Sequence, residues 1–142
     1  MIDRGHAAVE LAMAVAVLML PVALVVAAFG PWSERRVLAE ATAAEAARIV
    51  AIEMDQGAGA LVVSRMTGEH GLGEGQVRLG WCGAIPSSLS TPAGACPLER
   101  GGIVTSTVQV WAPLVITPWG PVGGLWVTAD HSEPIDLYRS FP

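Results

Sequence analysis

Lysine is absent from this 142-residue chain. All eight basic residues are arginine, thirteen acidic residues outnumber them, and the formal net charge is −5. That balance excludes the basic footprint that nucleic-acid binding needs. No Gly-Lys-Ser/Thr follows the glycines at Gly68, Gly71, Gly73 and Gly75, so they read as a flexible connector and not as a phosphate-binding loop. Histidine is scarce and scattered, with His6, His70 and His131 standing singly. Cysteine occurs only at Cys82 and Cys96, which leaves no ligand set with zinc spacing. There is no nucleophile elbow, no His-Glu-x-x-His and no cofactor fingerprint. Asp130, Glu133 and Asp136 lie near one another in sequence, but solvated turn charges explain them better than a catalytic carboxylate pair does. The sequence therefore predicts no enzyme, no catalytic residues, no metal and no cofactor.

What the chain has in abundance is apolar side chains, 52% of the total, and many stand in one place. Leu11 to Phe29, LAMAVAVLMLPVALVVAAF, is an uncharged apolar run. As a helix it would be about 28 Å long, close to the ~30 Å hydrocarbon core of a bilayer. Roughly 110 residues remain beyond it, enough for one modest domain. Glu10 stands directly before the run. A carboxylate entering a bilayer costs roughly 2.5–3.5 kcal/mol at mid-depth, so such a residue is a functional candidate by default. Gly5 precedes it by five residues. Cutting after Gly5 would create a new α-amino group on His6, with a pKa of about 7.7–8, available to pair with Glu10 of a neighbouring copy. Pro21 removes one backbone donor in mid-run and predicts a kink that packed neighbours tolerate. Phe29 and Trp32 suit the headgroup level, where aromatic residues collect.

This arrangement is the pattern of type IV prepilins. The stretch RGHAAVELAMAVAVLMLPVALVVAAFG resembles the TadE/TadG-like pseudopilins of tight-adherence (Flp) pilus systems. In that family Arg-Gly, small residues and Val-Glu precede a helix that often closes in Phe-Gly, as Phe29-Gly30 does here. The alanine-rich LAEATAAEAARIVA, Leu38 to Ala51, is similar to the helix that usually follows. The resemblance covers residues 4–52, a little over a third of the chain. It implies a minor pilin-like subunit with residues 1–5 as leader, processed by a prepilin peptidase at a site formed by Gly5, His6 and Glu10. Glu10 and Pro21 would then serve packing against other Tad/Flp pilins on an inner-membrane assembly platform. The sequence departs from the family in its leader, which carries Arg4 alone where relatives are often richer in arginine.

Beyond the span at 6–30, residues 31–142 are expected to form an extracytoplasmic α+β domain. Gly30-Pro31 predicts a bend, and Ser33 can N-cap an amphipathic helix over about 33–55. Val37, Ala41, Ala44, Arg48 and Ile52 follow helical spacing there, as do Leu38, Glu45, Ile49 and Ile52. Gln56-Gly57-Ala58-Gly59 should break the helix. Two turns over Ala60 to Thr67 then place Leu61, Val62 and Met66 inward. The part from about 76 to 138 reads as a small antiparallel sheet, with strands at Gln76 to Cys82, Gly102 to Ala112 and Leu125 to His131. Pro113, Pro118, Pro121 and Gly123-Gly124 bound a long connection between the last two. One sheet face is expected against the helix, with Trp81, Trp111, Trp119 and Trp126 packed in the core and Ile135, Leu137 and Tyr138 closing an edge.

Cys82 and Cys96 enclose a loop of Gly, Pro, Ser and Ala with little to order it, so a cross-link there would contribute about 3 kcal/mol. A disulfide implies an oxidising compartment. That outweighs Arg35 and Arg36, whose place just past the span favours the opposite orientation by the positive-inside count. The expected topology is therefore a single pass of the cell membrane with the N-terminus cytoplasmic. Two other readings stand beside the pilin-like one: a membrane-tethered extracytoplasmic binding domain outside any filament, and a secreted protein released by cutting near Ala28.

Overall fold

The computed structural model describes residues 6–138. Helix α1 runs unbroken over His6–Glu53, 48 residues and about 72 Å at 1.5 Å per residue. Pro21 and Pro31 both lie inside it, so the break expected at Gly30-Pro31 does not occur. Each proline deletes one backbone donor while keeping a helical φ. Side chains bridge the junction: the Phe29 and Trp32 rings sit 5.7 Å apart, the Arg36 guanidinium lies 5.6 Å over Trp32, and Arg36 Nε donates to Glu40 at 2.9 Å. Ser33 is no N-cap; its hydroxyl donates back to the Gly30 carbonyl at 2.9 Å.

The real end of α1 comes at Met54, whose φ of 57° turns the chain left-handed while its N–H still bonds the Val50 carbonyl at 2.8 Å. Asp55 then caps helix α2, Gln56–Glu69, accepting from the Gly57 N–H at 2.8 Å. Gln56-Gly57-Ala58-Gly59, expected as the breaker, is thus the first turn of α2, because a capping carboxylate offsets poor glycine propensity. The buried stripe of α2 is Gly59, Val63 and Thr67, and Leu61 is exposed. A Cβ on Gly59 would lie 2.5 Å from Val50 Cγ2 and 2.7 Å from the Trp81 ring, so only glycine lets α2 lie this close to α1 and the sheet. Gly59→Ala is accordingly expected to destabilise the head by about 1–3 kcal/mol in denaturant unfolding, although alanine is the better helix former. A neutral or stabilising result would refute the close crossing. The glycine-rich stretch that follows is ordered: Leu72 is buried, and a 3-10 turn at Glu74–Gln76 leads into the sheet.

Four antiparallel strands, β1 (Val77–Trp81), β2 (Ser87–Ser88), β3 (Ile103–Thr117) and β4 (Gly120–Pro134), lie in the order β2-β1-β3-β4. The fold is α+β, with one sheet face laid on the second half of α1. Val77, Leu79, Trp81, Val104, Val108 and Val110 meet Leu38, Ala39, Ala43, Ala46 and Val50 in one core. Val37, one of the residues that follow helical spacing, is 65% exposed. The alanine stripe wins because small side chains let a sheet approach the helix backbone closely enough for Ser106 Oγ to donate to the Ala43 carbonyl at 2.6 Å. The opposite sheet face is polar and cross-paired, with Thr105 to Ser132 at 2.8 Å, Thr107 to Asp130 at 2.6 Å and Gln109 to Thr128 at 3.1 Å.

Strand alternation corrects the tryptophan assignment. Only Trp81 is buried; Trp111 and Trp126 pair edge to face on the outer side at 5.3 Å, beneath an Arg78 guanidinium 4.0 Å from Trp126. Trp119 is 93% exposed. The long connection is corrected too. β3 and β4 stay paired from Ile103 with Pro134 out to Thr117 with Gly120, leaving only Pro118 and Trp119 at the turn. Past Ala112 this hairpin is two-stranded with open edges, where proline's missing donor need cost no ladder bond. At the far end Ile135 is buried, whereas Leu137 and Tyr138 are exposed and close no edge. Cys82 and Cys96 are bonded, with Cα atoms 5.3 Å apart, and the loop they close carries β2 and a bridge from Gly80 to Ala93.

Candidate functional site, an apolar helix and the hairpin beside it

From Val9 to Val26 every residue of α1 is exposed, and none of its most apolar stretch is buried within the molecule. Val17, in the middle, is 70% exposed. An amphipathic helix would need only one face covered. This one is apolar all round, so covering a single face would leave the rest in water. Among the described residues α1 is the one helix long and apolar enough to cross a membrane.

At the N-terminal end of that band stands Glu10, exposed, the only carboxylate between His6 and Ser33. Among the described residues no ion pair reaches it. His6 opens α1 one turn earlier, about 6 Å along the axis. Gly5 lies outside the described residues. Pro21 is exposed on α1 about three turns beyond Glu10. Among the described side chains Glu10 has no ion-pair partner, and a carboxylate so placed can pair with a cation or be recognised by one.

The other titratable groups are held separately. Asp130 accepts from Thr107, Glu133 lies 3.4 Å from His131 Nε2, and Asp136 accepts from the Tyr138 N–H at 2.9 Å, so the three acids form no common site. Arg48 donates to Glu45 at 2.6 Å, and this hydrogen bond holds the Glu45 carboxyl below its ordinary range. Its stability contribution is present above the unfolded pKa and lost as pH falls through the folded one, and as an exposed pair it is small. His70 caps the end of α2. Among the described residues no three acidic, histidine or cysteine side chains converge as metal ligands.

A feature not anticipated lies where α1 leaves its apolar band. The outer part of the β3–β4 hairpin folds down beside the helix. One groove of about 260 Å³ is lined by Val25, Phe29 and Trp32 on the helix and by Ala112, Pro113, Leu114 and Leu125 on the hairpin. A second, of about 170 Å³, lies between Leu24, Ala27 and Pro31 and the strand Leu114, Val115, Ile116. The signal was in the sequence all along: no charged residue occurs between Arg100 and Asp130. Comparison with protein-family models, with curated proteins and with solved structures finds no match to this chain.

Proposed function

We propose that the chain is a minor pilin-like, TadE-like pseudopilin subunit of a Tad/Flp-type pilus or secretion apparatus, inserted in the cell membrane by α1. The observation that carries this reading is the build of α1: an all-round apolar half with one acid at its tip, continued without a break into an alanine stripe that packs on a small antiparallel sheet. The disulfide fits an extracytoplasmic head and hence a cytoplasmic N-terminus. Glu10 would guide processing after Gly5 and then pair with the freed amine of a neighbouring subunit, with lipid and other pilin helices around both. The implied partners are a prepilin peptidase, other pilins and an inner-membrane platform.

Intact mass and N-terminal sequencing of protein extracted from membranes test this. A mature chain starting at His6 is expected. A start at Met1 would overturn the processing step and favour the tethered binding domain, and a start near Phe29 would favour a secreted form. Glu10→Ala should leave membrane insertion unchanged but lower co-purification with partner pilins. Unaltered co-purification would remove the role given to Glu10.

A further inference from the structure

We propose that the tip of the β3–β4 hairpin is a second membrane contact, seated at headgroup depth on the outer leaflet beside α1. The proposal rests on α1 crossing the bilayer and goes beyond the pilin-like assignment, since it needs no filament.

Three observations carry it. The tip is an exposed apolar patch with no charge: Leu114, Ile116, Trp119 and Val122 are 46%, 67%, 93% and 59% exposed. A patch of that kind on one small head marks an interaction surface. The patch is also continuous with the apolar band of α1, because the two grooves place Leu114, Val115 and Ile116 beside Leu24, Ala27 and Pro31. The hairpin thus meets the band at its outer end, within about 8 Å of Phe29 along the axis. Finally, the rings and cations expected at a lipid–water boundary gather at this height, with Phe29 and Trp32 in contact and Arg35 and Arg36 following in the next turn.

Backbone chemistry sets the depth. Between Pro113 and Gly124 the hairpin has two strands and two open edges. Unpaired backbone donors and acceptors are too costly in hydrocarbon, so the tip cannot sink into the acyl core. Pro113, Pro118 and Pro121 carry no N–H, which lowers the number of donors needing water or headgroup oxygens. The tip thus rests where water and phosphate still reach its backbone, with the Trp119 ring at the boundary.

The test uses the full chain, native disulfide intact, in phosphatidylcholine/phosphatidylglycerol vesicles. An environment-sensitive fluorophore is attached through Trp119→Cys, and in separate preparations through Leu20→Cys and Thr128→Cys. Nitroxide-labelled lipids then quench from shallow or deep positions. The expected result is blue-shifted emission at 119, lost more to the shallow quencher than to the deep one. Position 20 should lose most to the deep quencher, and position 128, on the outer sheet face, should be untouched. Adding Ile116→Asp and Val122→Asp should return the 119 probe to water-like emission. Water-like emission at 119 with position 20 quenched would overturn the hairpin contact while leaving the span intact. No quenching at either would overturn the span and the contact together. Blue-shifted emission at 119 that lipid nitroxides leave unchanged but that vanishes on dilution of the protein would assign the tip to a second copy, and would also overturn it.

Discussion

Trp81→Ala should lower the stability of the head by about 3–5 kcal/mol, the cost of emptying a large aromatic site in a packed core. Trp81 is 2% exposed, and its ring reaches the point where α2 crosses α1 at Gly59. At about 4–8 °C of melting temperature per kcal/mol for a domain of this size, the shift exceeds ten degrees and is readable by near-UV circular dichroism in detergent. Helicity of the apolar half should persist, since no residue of that half lies in the core built around Trp81. A loss below about 1 kcal/mol would mean that the three elements meeting there are held by something else. Because Gly59 and Trp81 touch, their substitutions should not add, and the double variant measures the coupling.

Removing the cross-link is the second large effect. Cys82→Ala with Cys96→Ala, or reduction of the native protein, frees a loop with a sequence separation of 14, for about 3 kcal/mol on the chain-entropy account. The pairing of β2 with β1 would still tether it, as would two further backbone bonds, Trp81 N–H to the Ala93 carbonyl at 2.8 Å and Ala93 N–H to the Leu79 carbonyl at 3.2 Å. The expected signature is therefore a lower melting point together with protease cuts between residues 83 and 95, while the β3–β4 hairpin stays resistant. An unchanged melting point after verified reduction would show the loop to be held by its hydrogen bonds alone.

The apolar run, the α+β class and the inward valines of β3 were legible in the sequence, because each is written in a period that a single element sets. Two misreadings share a cause: in both, the tertiary surroundings overrode a local signal. Pro31 reads as a helix terminator on its own, yet the aromatic and charged side chains flanking it join into one stack across the junction. The prolines and glycines from Pro113 to Gly124 read as loop, yet Pro113, Gly120, Pro121 and Gly124 find places in a ladder that has no third strand to offend. The tryptophans differ. Core packing is expected of them because they fall in or beside strands, whereas the parity of the strand decides burial, and Trp111 and Trp126 fall on the even count from Thr107 and Thr128 that faces outward. The acid at the helix tip was legible as a residue out of place. Its partner was not, because the counter-charge belongs to another molecule in the proposed reading.

A shaft with no hinge has a further mechanical meaning. At 3.6 residues per turn, position 46 returns to about the same bearing as position 10 after some ten turns, and Ala46 is fully buried in the core beneath the sheet. On a straight, ideal helix the carboxylate at the foot and the sheet at the top would face about the same direction. A neighbour drawn in by that foot would come to stand under the overhang of the head and not behind it. In the proposed pilin-like assembly, how one head is turned relative to the next would then be dictated from the far end of the helix, by torsion carried along a single rod.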